Sequence, residues 1–301
     1  MVETLNLPAE LAWDTRCTVG ESPVWDAARR RILFADIPAG RIFALDADGS
    51  ARTTWDLRDG AGPAVVASFG LCRSGRLVVA LRHRVALFDP DTGRLDDLTA
   101  SVDEPPTNRF NDGKVGPDGA FWVGSIDTRQ PRETVAALYR VTPDGKIERK
   151  ADGYGASNGL AWSPDGRTMY HSDSDSRAAS IDAWDFDPAS GRISNRRRFA
   201  TLTGEQGRPD GGATDAEGCY WSAGVSAGRL NRFSPAGELI QTVPLPVPAP
   251  TMPCFAEGTL WVTSLRENKS AEEIARHPML GGLLRLPAPV AGCPVGLFAD
   301  R

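Results

Sequence analysis

The stretch Ser157-Asn158-Gly159-Leu160-Ala161-Trp162-Ser163-Pro164-Asp165-Gly166, running on into Thr168-Met169-Tyr170-His171-Ser172-Asp173, decides the fold. It reads as a polar opening, a short apolar strand, a turn and a second apolar strand. Proline presets φ in the turn, aspartate bonds its own backbone, and glycine tolerates positive φ. The flanking runs are too short for stable helices and carry the aromatic, alternating character of strands.

The pattern recurs. Turn glycines close comparable strands at Gly75, Gly119, Gly166, Gly218 and Gly258, with spacings of 44, 47, 52 and 40 residues. An earlier unit reads Ser22-Pro23-Val24-Trp25-Asp26, a turn, then Arg31-Ile32-Leu33-Phe34-Ala35-Asp36. The second half of each unit also repeats, as in Ile42–Asp46, Val85–Pro90, Ala137–Val141, Ile181–Asp187 and Leu230–Ser234. Four short strands per unit at this period mark a propeller blade. The expected fold is all-β: a six-bladed β-propeller of four-stranded blades, one domain over residues 1–301. The ring should close when a strand around Glu10-Leu11-Ala12-Trp13 completes the last unit, near Leu283–Leu286. The single expected helical turn is Ser270–Arg276, with Ser270 as N-cap ahead of acidic residues. Pro244, Pro246, Pro248 and Pro250 form a stiff connection.

The 31 glycines and 23 prolines are dispersed, as many tight turns require. A formal net charge of −5 and a pI near 5.4 disfavour a polyanionic partner such as nucleic acid. The triplets Arg29–Arg31 and Arg196–Arg198 read as solvated turns or strand edges. No apolar run approaches the ~18 residues of a membrane span. Met1–Asn6 lacks the basic and apolar regions of a secretory leader. A cytoplasmic protein is expected, its five widely spaced cysteines reduced and structural. Three histidines suggest no histidine metal cluster, and His171 is expected to be structural. No Gly-rich phosphate loop is present, and no serine has an ordered His/Asp partner.

Eight residues before the turn glycines lie Asn111, Asn158 and Asp210; aligning Trp25 with Trp162 adds Glu21. The four share one structural position in four blades, at the entry of the innermost strand. Their side chains should therefore converge at one end of the central channel. Two carboxylates and two amides are costly to bury unpaired. A hard divalent cation on Glu21, Asn158 and Asp210 would satisfy them with oxygen ligands and leave positions open. A water-filled channel lined by hydrogen-bonded polar groups is the alternative.

The motifs Gly20-Glu21-Ser22-Pro23-Val24-Trp25, Asn108-Arg109-Phe110-Asn111-Asp112-Gly113-Lys114, Ser157-Asn158-Gly159-Leu160 and Arg208-Pro209-Asp210-Gly211-Gly212 fall in order at this phase. With them the chain resembles, over almost its whole length, the senescence-marker-protein/gluconolactonase (regucalcin-like) family, and most of all its bacterial sugar lactonases. The resemblance implies metal-dependent hydrolysis of a sugar lactone, with Glu21, Asn158 and Asp210 as metal ligands and Asp210 also as base. It implies substrate contacts from Arg109 and Asn111. Relatives carry acidic residues in the loop after Gly124, where this chain offers Asp127 as a substitute. The implied cofactor is one divalent ion, Ca²⁺ ahead of Mn²⁺, Mg²⁺, Fe²⁺ or Zn²⁺. The implied partner is a small sugar lactone, bound by a monomer or weak homo-oligomer. The alternatives are a broader esterase or organophosphate hydrolase on the same site, and a non-catalytic calcium-binding propeller.

Overall fold

A computed structural model describes residues 2–175 and 177–301. Its described residues form one short helix and strands grouped into six blades, each with four antiparallel strands, and one two-stranded ribbon, Arg58–Asp59 with Gly62–Pro63. Blade 1 comprises Gly20–Asp26, Arg31–Asp36, Arg41–Asp46 and Arg52–Asp56, and blade 2 Ser68–Leu71, Leu77–Ala80, Val85–Phe88 and Leu95–Asp97. Blade 3 runs Asn108–Val115, Phe121–Asp127, Ala136–Val141 and Ile147–Tyr154; blade 4 runs Ser157–Trp162, Thr168–Asp173, Ser180–Asp187 and Arg192–Thr201. Blade 5 holds Pro209–Thr214, Tyr220–Gly224, Arg229–Phe233 and Leu239–Pro244, whose outer edge Glu3–Thr4 joins in parallel. Blade 6 is Pro250–Ala256, Thr259–Ser264, Leu283–Pro287 and, as expected, Glu10–Trp13 from the other end of the chain. The innermost strands pack successively around the ring, blade 6 returning to blade 1.

The core sits between blades. Each adjacent pair shares its own buried cluster, such as Leu33, Phe69 and Val79 between blades 1 and 2. Trp122, Leu160, Trp162 and Phe186 fill the space between blades 3 and 4, with Trp122 and Trp162 edge to face at 6.3 Å. Blades 6 and 1 meet through Phe34, Cys254, Trp261 and Leu283, with Trp13 against Phe34 and Phe43. The middle strands of each sheet thus bury both faces against neighbouring blades, as in Arg31–Asp36 and Leu77–Ala80, while outer strands such as Arg52–Asp56 and Arg192–Thr201 are largely exposed. The helix is Ala271–Arg276, and Ser270 with Glu273 forms a full capping box at its start.

Beyond the last strand the chain crosses the turn end of the channel. Gly292 bridges to Asp215 of blade 5 and Phe298 to Cys72 of blade 2, on the opposite side of the ring. Asp300 fastens the far end, accepting from Ser74 N–H and from Arg76 Nη2 at 2.9 Å. All five cysteines are unpaired. Among the described residues no helix is long and apolar enough to cross a membrane.

Candidate active site

In five of the six blades the innermost strand carries one extra residue at the same place. Glu21 pairs with Ala35 but Val24 with Leu33, three residues against two, and the step recurs at Phe110/Gly113, Asn158/Ala161, Pro209/Gly212 and Pro250/Pro253. Such a bulge bends the strand and re-aims the side chain at its mouth. Ser22 and Gly159 take left-handed φ of 54° and 68° at the bulge. Blade 2 lacks the bulge and has Ala67 at the equivalent position.

The bulges turn Glu21, Asn111, Asn158 and Asp210 into one cavity of about 510 Å³ at the strand-entry end of the channel. All four are less than a tenth exposed. A relay of hydrogen bonds orients the two amides. Arg109 Nη1 donates to Phe110 O at 2.8 Å and Asn111 Oδ1 at 3.0 Å. Asn111 Nδ2 donates to Ser157 O at 3.0 Å and Asn158 Oδ1 at 2.9 Å, and Asn158 Nδ2 to Ser174 Oγ at 2.6 Å. Ser174 in turn donates to Pro209 O, beside Asp210. Both nitrogens are thereby used, and Asn158 Oδ1 keeps a lone pair for another partner. Asn111 has no N–H left for a sugar hydroxyl. Its remaining capacity is that of an acceptor.

The carboxylates are under strain from one another. Burial pushes the Glu21 carboxyl well above its usual range, and the charges of Asp210 and Asp112 push it further. Its only compensation nearby is the Ser22 N–H at 2.7 Å and the more distant Lys114. Burial and Asp112 raise Asp210 to about 7, even though Arg208, Arg132 and Arg109 oppose the rise. Lys114 Nζ is committed to Gly212 O at 2.6 Å. Among the described residues no three His, Cys, Asp or Glu side chains form a metal cluster. The donor set here is two carboxylates and an amide oxygen, all hard, and the excess negative charge is what a hard divalent cation would neutralise. The residues fit such an ion.

Asp127 requires a correction. It does not line the cavity. It ends the second strand of its blade as Asp36 and Asp173 end theirs, and each uses its carboxylate to hold the adjoining loop. Asp36 accepts from Thr18 and Val19 N–H, and Asp173 from Gly155 and Ala156 N–H. Asp127 accepts from Arg129 N and Nε and from Glu133 N at 2.6 Å. Against the burial that would raise it, these donors hold its carboxyl down at about 2. No capacity is left for substrate. His171 is buried against Ser157 Oγ, at 2.7 Å from Nε2, and lies outside the cavity.

Sequence reasoning missed a second tier. Residues two apart in a strand face the same way. Val19, Arg109, Ala156 and Arg208 line the cavity two positions before Glu21, Asn111, Asn158 and Asp210, and Pro248 does so two before Pro250, which holds the equivalent position in blade 6. Arg208 is thus the counterpart of Arg109, legible from the same phase. Gln130 and Arg132 reach in from the loop after the second strand of blade 3, and Glu267, Asn268 and Lys269 from the insertion after Ser264. No local signal marks these loop residues.

The fold and this cavity define a six-bladed propeller with a polar pocket at the entry of its inner strands. The chain belongs to the SMP-30/gluconolactonase/LRE-like family, whose characteristic region matches residues 19–266. It is 39% identical over 289 residues to a 6-deoxy-6-sulfogluconolactonase of Pseudomonas putida, covering 93% of this chain and 95% of that one. It is 34% identical over 291 residues to regucalcin of Homo sapiens, covering 93% and 94%. Among solved structures, a gluconolactonase from Xanthomonas campestris superposes with a TM-score of 0.73 at 26% identity, covering 94% of this chain and 90% of that one. A calcium-binding regucalcin from Agrobacterium tumefaciens gives a TM-score of 0.89 at 24% identity over the whole of both chains, a likeness of fold. The expected enzyme class, a hydrolase of lactones, agrees with these relatives.

Proposed function

We propose that the protein hydrolyses the ester bond of a sugar lactone, with one divalent cation, calcium first among the candidates, held by Glu21, Asn158 Oδ1 and Asp210. The observation that carries this reading is the convergence of two buried carboxylates, without an ion-pair partner among the described residues, with an amide oxygen held in place by Asn111 and Ser174. When bound, the cation supplies positive charge that polarises a carbonyl and makes nearby water more acidic. Asp210 takes the proton of the water that attacks the lactone carbonyl carbon. The bond from that carbon to the ring oxygen then breaks, and the ring oxygen leaves protonated as the hydroxyl of the aldonic acid. A carboxyl poised near neutrality suits this exchange.

Arg109 positions substrate. Its Nη1 is anchored to Asn111 and Phe110, so the guanidinium is held at a fixed angle to the cavity. Its remaining N–H groups are free to meet ring oxygens or the developing carboxylate. Five unpaired thiols accord with a cytoplasmic location.

The test is acid release from an aldonolactone by the purified protein, with and without chelator, alongside Asp210→Asn. The variant keeps an oxygen donor of similar shape but cannot accept a proton near neutral pH. Turnover should vanish with chelator and return with metal. In Asp210→Asn it should fall about 10²-fold or more even at saturating metal, the scale of a lost general base. Full turnover under chelation, or near-normal turnover in the variant, would overturn the assignment.

A further inference from the structure

Once a cation on Glu21 and Asp210 is counted, the charges around the cavity do not balance. It is lined by four acids, Glu21, Asp210, Glu267 and Glu273, and four bases, Arg109, Arg132, Arg208 and Lys269. Lys269 Nζ lies 3.4 Å from Glu273 Oε1, which accounts for one of each. Glu267 is exposed at the rim, and Arg109 senses its charge. Glu21 and Asp210 are committed to the cation on the reading above. Arg132 and Arg208 remain, with no ion-pair partner among the described residues. Elsewhere Arg140 pairs with Asp118 at 2.7 Å, Arg232 with Asp215 at 2.8 Å and Arg84 with Asp59 at 2.9 Å, while Arg229 and Arg266, which have no ion pair among the described residues, donate to backbone carbonyls.

Arg132 carries a second mark. Its Nε is closed off from solvent and has no acceptor among the described residues. A buried donor without a partner is costly and uncommon in a native fold. Arg208 immediately precedes the inner strand of blade 5 and stands two residues before Asp210, as Arg109 stands before Asn111. Two residues of strand span about 6.6 Å. Arg208 therefore stands one tier outward from the reacting end of the pocket, about as far as the distal end of a hexose chain lies from its lactone carbonyl.

We propose that Arg132 and Arg208 form an anion-recognising wall, and that the lactone this cavity takes carries a second, anionic group away from its reacting carbonyl. The proposal rests on the lactonase reading for the reacting end and adds the chemistry of the other end. Sulfonate, phosphate and carboxylate each present oxygens that accept forked guanidinium N–H groups. Such a group would neutralise the two arginines and give the buried Arg132 Nε an acceptor.

The experiment compares kcat/KM of the calcium-loaded protein on δ-gluconolactone, its 6-phosphate, its 6-deoxy-6-sulfonate and the corresponding lactone with a 6-carboxylate. At least one charged lactone should exceed the neutral one by about tenfold, the equivalent of 1.4 kcal/mol. Its KM should rise with added salt. The double variant Arg132→Gln/Arg208→Gln should lose at least tenfold more on that lactone than on the neutral one, and Arg208→Lys should retain part of the preference. The leading substrate among the three identifies the anion. A preference for the neutral lactone, or an equal loss on all four in the double variant, overturns the proposal. If no lactone is hydrolysed, the lactonase reading falls and the wall is judged by calorimetry alone. Binding of glucitol 6-phosphate but not glucitol, abolished in the double variant, then upholds it, and equal affinity for the two overturns it.

Discussion

Replacing Asn111 by aspartate separates an oriented amide from a count of charges. The substitution changes one NH₂ to one oxygen. A charge count expects tighter binding, since a unit charge near 4 Å from a cation is worth about 1 to 4 kcal/mol between bulk water and a protein surface. The hydrogen-bond relay expects the opposite. Asn111 Nδ2 lies 2.9 Å from Asn158 Oδ1 and 3.0 Å from Ser157 O. In Asn111→Asp both donors become acceptors, losing two hydrogen bonds of about 1 kcal/mol each and setting like lone pairs face to face. Asn158 escapes by turning its amide over, which points its NH₂ where its oxygen was. The new negative charge gives little back, because Arg109 Nη1 already stands 3.0 Å from that oxygen and would pair with it. Calcium affinity should fall by about tenfold or more, or 1.4 kcal/mol. Calorimetric titration measures this directly. At a fixed excess of cation, the stabilisation conferred by the ion should shrink by the same 1.4 kcal/mol per tenfold change in affinity. An unchanged or tighter Kd would refute the orienting role of the relay.

Gly159→Ala should destabilise the fold by about 2 kcal/mol or more, because a left-handed residue with a Cβ costs roughly 1–2 kcal/mol before any clash. That Cβ would also sit 2.5 Å from Ser172 Oγ and Tyr220 Oη; an unshifted urea midpoint would contradict this. Asp127→Asn should cost about 1–3 kcal/mol as the Arg129 and Glu133 donors lose a charged acceptor. It should affect kcat/KM far less than Asp210→Asn does, and the reverse order would restore Asp127 to the site. Burial, with Arg196 adding to it, pushes the His171 imidazole down to about 3, so it folds neutral. Its unfolded form takes up a proton below about 6.5, so its contribution is intact above that pH and declines by roughly 1.4 kcal/mol per unit as pH falls toward 3. Urea unfolding between pH 7 and 5 should therefore show a steeper loss in the parent than in His171→Gln, and parallel slopes would rule this out.

The propeller was legible because five of the six blades repeat a turn glycine at one phase; Asn111, Asn158 and Asp210 followed from that phase, and Glu21 from aligning Trp25 with Trp162. The bulges behind their convergence were not legible. A bulge is a property of strand pairing, and only Gly159 among the four motifs hints at it, by tolerating left-handed φ directly after Asn158. Asp127 misled for a related reason. Loop-closing carboxylates at the ends of second strands resemble ligand contacts in sequence and differ only in which N–H groups they meet. A linear sequence does not show that Ser157 O and Asn158 Oδ1 consume the donors of Asn111, the residue expected to contact substrate. Arg208 could have been found by stepping back two residues from Asp210. Arg132 could not, since its place depends on the path of an irregular loop.

The C-terminal strap from blade 5 to blade 2 runs along a diameter of the ring and turns a tube into a cup. Lys114, bonded across the channel to Gly212 O, thickens the bottom. On the lactonase reading, a molecule that enters at the carboxylate end would meet the strap at the far end and leave by the opening it entered. The acid formed by hydrolysis would then withdraw along the route its precursor took, past the same guanidinium groups, before the next molecule descends. Traffic through such a cup would alternate, and the residues proposed to capture the incoming molecule would also hold back the outgoing one.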